Sequence, residues 1–119
     1  MIIEKVLISY LIDKTSAGSD VYAERPNTTP EKYILIEKTG SSVEDMITTS
    51  TIAIQSISDS MQGGSMLDAM DLNEDVKDAM AYLEELDCIV QVDLNSDYNY
   101  TDDSTKEYRY QAVYQIIHY

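Results

Sequence analysis

The apolar positions change period along the chain, and each change marks an element. Near the start, Ile3, Leu7, Tyr10 and Leu11 recur at helical spacing with Val6 beside them, while Glu4, Lys5 and Ser9 fall on other faces. This predicts a helix over residues 2–13. Ile2, Ile8 and Ile12 widen its apolar surface, so a sheet or a neighbour is expected to cover it. The small polar run at 15–19 stops it. Residues 21–24 fit a short strand. The prolines Pro26 and Pro30, which cannot donate to a ladder, bound a loop. Residues 33–39 predict a strand apolar on both parities over Tyr33 to Ile36, hence a central one covered on both sides. Gly40, Ser41 and Ser42 read as a turn. Residues 46–58, dense in β-branched side chains, predict the next strand.

Gly63 and Gly64 interrupt the pattern. A helical stripe then runs over about 65–86 through Leu67, Met70, Val76, Met80 and Leu83. The run Asp71-Leu72-Asn73-Glu74 is expected to break it, with Asn73 capping a second piece. Period two returns at Val90, Val92 and Leu94, and Tyr98 and Tyr100 continue that parity. A polar turn at 101–105 leads into Tyr108, Tyr110, Ala112, Tyr114 and Ile116 on one face, with Arg109, Gln111 and Gln115 on the other. The whole predicts one α+β domain over residues 1–119. It has a mixed or antiparallel sheet of four to five strands, two main helices packed on one face, and a long C-terminal β-hairpin.

Composition narrows the function. Twenty-two acids against eight bases give a formal charge of −14. Binding to a nucleic-acid backbone depends on Lys and Arg releasing counterions, so this balance opposes it. It equally opposes an anionic membrane surface. No apolar run approaches the roughly 20 residues of a membrane span. Glu4 and Lys5 interrupt the N-terminal apolar residues, so no secretory signal is expected, and the chain should stay where it is made. Ten Tyr with no Phe or Trp suit half-exposed sheets and subunit interfaces.

Candidate chemistry is thin. Cys88 is the only cysteine and lies in an apolar run, which reads as packing. His118 is the only histidine, on the parity of Tyr114 and Ile116. The sequence from Asp93 to Asn99 has the alternation of a calcium loop. However, Tyr98 stands where the turn glycine belongs and Ser104 where the terminal glutamate belongs, so it reads as a half-exposed strand. No metal-ligand spacing, nucleophile elbow or dinucleotide fingerprint occurs. An enzyme with Glu24, Glu37 and Asp97 in one cleft has no spacing to support it. No catalytic residue, metal or cofactor is expected.

Five stretches carry a family resemblance: residues 21–26 (VYAERP), 33–42 (YILIEKTGSS), 51–56 (TIAIQS), 94–100 (LNSDYNY) and 106–113 (KEYRYQAV). Together they resemble small phage and prophage proteins of Gram-positive bacteria from among the head–tail joining genes, above all the tail-terminator or tail-completion group. The resemblance implies a structural subunit that closes into a ring, usually a hexamer, between tail-tube and head-connector proteins. DNA would be passing cargo, and no membrane would be involved. It implies assembly in the host cytoplasm and a final place in the virion tail.

In that setting Arg25, Tyr98, Tyr100, Arg109 and Tyr110 are the expected interface residues, because aromatics and Arg are enriched where subunits meet. Asp68, Asp71, Asp75, Asp78, Asp97, Asp102 and Asp103 are expected to face a lumen, where like charge keeps DNA from the wall. The alternative is an acidic DNA mimic that binds a basic protein. It needs acids on one continuous face at roughly 3–7 Å, a phosphate-like spacing.

Overall fold

The computed structural model describes all residues, 1–119. A five-stranded sheet carries both helices on one face. The elements are α1 (Ile3–Lys14), β1 (Val21–Tyr22), β2 (Lys32–Glu44), β3 (Ile47–Asp59), α2 (Met66–Met80), β4 (Ile89–Asn99) and β5 (Glu107–His118). Short 3-10 turns at Ser60–Gln62 and Leu83–Glu85 flank α2. Strand order is β1-β2-β3-β5-β4, with β1 parallel to β2 and every other pair antiparallel. The predicted α+β architecture is the observed one.

The core lies between the helices and the sheet. Ile3, Leu7 and Leu11 of α1 and Leu72, Val76 and Met80 of α2 pack against Ile34, Ile36, Ile52, Ile54, Ala112, Tyr114 and Ile116. All those strand residues share one parity, so one sheet face takes the whole helix layer. Ile2 and Ile12, expected to be covered, are exposed.

Four local expectations fail, each for a physical reason. The residues 40–42 form no turn. They lie inside β2, where a bulge at Thr39 shifts the register and Gly40, Ser41 and Ser42 go on pairing with Thr51, Ser50 and Thr49. The reversal comes at Asp45 and Met46, with φ of 53° and 69°. These are the left-handed angles that a two-residue hairpin demands. Second, α2 is continuous through 71–74. Its cap is Ser65, whose hydroxyl accepts the Asp68 N–H at 3.2 Å, and Asn73 is a buried residue in mid-helix.

Third, β2 is central only at its start. Tyr33 to Ile36 lie between β1 and β3 and are covered as expected, but the strand is exposed from Glu37 onward. Fourth, β4 does not keep one parity. Bulges between Ile89 and Gln91 and between Leu94 and Ser96 shift its register. Val92 and Leu94 therefore face the helices, and Tyr98 and Tyr100 face the other way.

Candidate functional site

The helix-free face of the sheet has two parts. At one end the loop between β1 and β2 folds over it. Glu107, the first residue of β5, is 1% exposed there and accepts ion pairs from Arg25 at 3.0 Å and Arg109 at 3.1 Å. The Tyr33 hydroxyl also donates to it. Beside it, buried Asp59 accepts the Thr29 hydroxyl at 2.5 Å and the Met61 N–H at 2.9 Å. Burial and the neighbouring Glu107 carboxylate hold the Tyr33 phenol well above its ordinary range, because both oppose a phenolate. The Arg25 guanidinium is raised by Tyr33 and Glu107. The cluster ties the loop to the sheet. A buried carboxylate is tolerable only because two guanidiniums meet it.

Beyond the loop no helix covers this face, which is half-buried by its own side chains, Ala53 and Gln111 fully so. Thr49, Thr51, Ala53 and Gln55 of β3 lie beside Gln111, Val113, Gln115 and Ile117 of β5, and none is charged. In a chain at −14 that is a neutral strip. One polar row crosses it. Gln55 donates to Gln111 at 3.0 Å, and Gln111 donates to the Tyr98 hydroxyl on β4. Tyr98 and Tyr100 stack edge to face with centroids 6.0 Å apart, and both are exposed.

The expected interface residues therefore divide. Arg25, Tyr98, Tyr100 and Arg109 share this face, but both arginines are committed to Glu107. Tyr110 points to the opposite face, paired across to Asn99 and Ser56. Sequence reasoning missed Glu107, Tyr33 and Asp59. Their one signal was that Glu107 shares the parity of Arg109.

The acids expected in a lumen lie on three surfaces. Asp68, Asp71, Asp75 and Asp78 form a stripe along α2 on its α1 side, where Asp75 accepts the Ser16 N–H at 2.7 Å. Asp97, on β4, faces the other flank of α2 and is bound by Lys77 at 2.7 Å and Asn73 at 3.0 Å. Those bonds, that of Lys77 foremost, hold its carboxyl below the usual range against the opposing effect of burial. Asp102 and Asp103 sit at the β4–β5 tip, and Ser104 bonds hold Asp102 low as well. The α2 stripe is a continuous acidic row, but Asp97 and the tip acids Asp102 and Asp103 lie apart from it, so the seven do not share one face. Glu24, Glu37 and Asp97 likewise share no cleft, since Glu37 and Asp97 lie on opposite sheet faces.

The fold has a solved counterpart. It is similar to a chain in the structure of the virion of a native gene transfer agent (GTA) particle, with a TM-score of 0.62 and 15% identity. The match covers 95% of this chain and 84% of that one. No protein-family model matches the chain, and no curated protein does.

Two remaining features are structural. The Ser50 hydroxyl lies 2.8 Å from His118 Nε2, both side chains buried where β3 meets β5. The contact joins the two strands side chain to side chain. No group of three His, Cys, Asp or Glu side chains is placed to hold a metal ion. No helix is long and apolar enough to cross a membrane.

Proposed function

We propose that this chain is a structural subunit of a phage-like particle, a tail-terminator or tail-completion protein that closes into a ring at the head–tail junction. One observation carries the reading: nearly the whole chain shares its fold with a chain of a virion particle. The neutral strip on the helix-free face, flanked by Tyr98 and Tyr100, gives such a subunit a surface to present to its neighbour. Its partners are further copies of itself, six in the ring, together with tail-tube and head-connector proteins. DNA passes through as cargo.

The chain is made in the bacterial cytoplasm and ends in the virion tail. Its role involves no membrane and no turnover of a substrate. Because the acids occupy three surfaces, one lumen takes one set. The exposed tip acids Asp102 and Asp103 are the set proposed here, since Asp97 is already neutralised by Lys77.

The test is localisation. Particles carrying an epitope-tagged chain, labelled with gold-conjugated antibody, should show label at the junction of head and tail under the electron microscope. Purified protein should also give closed rings of one size at high concentration. Label along the tail, or at its far tip, defeats the proposal.

A further inference from the structure

Between α1 and the end of α2 lies a groove of about 840 Å³ lined by nine residues. Its floor is Tyr10, Ala79 and Leu86, and Tyr82 stands on its wall, 62% exposed. Asp13, Asp75, Asp78 and Glu85 rim it against a single cation, Lys14. A second recess of about 520 Å³ continues the groove along α1 past Lys5, Val6 and Ser9, sharing Tyr10, Asp13 and Leu86. The Tyr10 hydroxyl donates to the Ala79 carbonyl at 2.6 Å and fixes the spacing of the two helices. Burial, and then Glu85, raise the Tyr10 phenol, so it stays a neutral donor.

We infer that this groove seats a basic amphipathic helix or arm of another protein. The shape and floor call for an apolar stripe, and the rim fixes the sign of the occupant's charge. Lys and Arg stems can lie along Val6, Ala79 and Leu86 while their heads reach the four carboxylates. An Arg can also stack on the exposed Tyr82 ring. A nucleic acid or an anionic lipid is repelled by the same rim. A second copy of this chain offers no matching basic stripe. Arg25, Arg109 and Lys77 are ion-paired within the fold, and the remaining lysines are divided among α1, β2 and the β4–β5 turn. The inference does not rest on the ring reading, and its test uses the isolated chain.

The probe is a fluorescent 16-residue synthetic helix with Leu on one face and Lys and Arg on the other, followed by anisotropy at about 0.15 M salt. An acidic protein attracts any polycation, so two triple variants of equal charge are compared. One removes rim acids (D13N, D78N and E85Q); the other removes exposed acids elsewhere (E37Q, E44Q and D103N). Circular dichroism checks that both fold. The rim variant should weaken binding at least tenfold, and the control variant less than twofold. Tyr82→Ala should weaken it severalfold with no change in charge. Equal losses in the two triple variants, or no binding by the unmodified chain, overturn the inference. So does self-association that only the rim variant abolishes, since the occupant would then be a second copy. Failure here leaves the localisation test of the ring untouched.

Discussion

The Tyr33 hydroxyl donates to the Glu107 carboxylate across 74 residues of sequence, and neither side chain is open to solvent. That bond joins the start of β2 to the start of β5 on the face no helix covers. Two guanidiniums share the same carboxylate, one half exposed and one largely buried. Removing the carboxylate strands Arg109 and Tyr33 together. Glu107→Ala should therefore cost about 3 kcal/mol, in the range for breaking a buried pair. Arg25→Ala should cost at most about 1 kcal/mol, because water can replace an exposed guanidinium. Urea unfolding midpoints measure both, and equal losses would show that burial does not govern the cluster.

The β2–β3 turn predicts a gain. Met46 holds φ at 69° with its side chain 88% exposed, so nothing repays the left-handed strain. Met46→Gly should stabilise the chain by roughly 0.5–1 kcal/mol, the left-handed penalty less the entropy glycine loses on folding. A lower urea midpoint would mean that Met46 makes a contact worth more than its strain.

Gly64 predicts a loss. A Cβ there would strike the Ser58 hydroxyl and lie 2.8 Å and 2.9 Å from the Asp59 backbone O and N. Backbone cannot rotate away as a side chain end can. Gly64→Ala should destabilise by about 2–3 kcal/mol through overpacking. An unchanged thermal midpoint would contradict that close approach.

Asp97 predicts a pH dependence. Its carboxyl is held low by Lys77 and then Asn73, so its contribution is present above the ordinary carboxylate value of about 4. It is lost as pH falls through the lower folded value, because the unfolded chain takes up the proton first. Asp97→Asn should be less stable than the unmodified chain at pH 7, and the gap should shrink toward pH 3. A gap constant across that range would remove Asp97 from the account.

The exposed pair Tyr98 and Tyr100 predicts a separation of folding from assembly. Y98A/Y100A should cost about 1–3 kcal/mol, since it removes the edge-to-face pair and leaves the buried Gln111 amide without its acceptor, yet the chain should still fold. It should abolish ring formation seen by electron microscopy. Rings that persist would place the subunit contact elsewhere.

Long, strongly periodic segments were legible in the sequence. The stripe Ile3, Leu7, Leu11 and the β-branched run of β3 lie where the pattern put them, as does the alternation of β5. What the pattern could not carry were single-residue insertions. The bulge at Leu94 and Ser96 reverses every side chain after it, and so moves Tyr98 away from the face of Leu94. In β2 the bulge before Gly40 hid a strand behind turn residues. Asn73 resembled a cap because its long-range partner, Asp97, is invisible to local spacing. The Glu107 cluster was hidden for the same reason: Arg25, Tyr33, Asp59 and Glu107 come from four separate parts of the chain. Of the site, the exposed tyrosines were legible, while the groove, which needs two helices side by side, was not.

The β3–β5 seam joins residues 48 positions apart at Asp59 and Glu107 and 70 apart at Thr48 and His118. Each outer hairpin can zip from its own turn, but this seam must wait for a long stretch of chain to come round. Pairing of such distant segments is slow, on the order of milliseconds to seconds. Until the seam closes, the inner edges of β3 and β5 are open to a strand from a neighbouring copy. A charge of −14 opposes that encounter from the first moment, well before any native contact exists to exclude it.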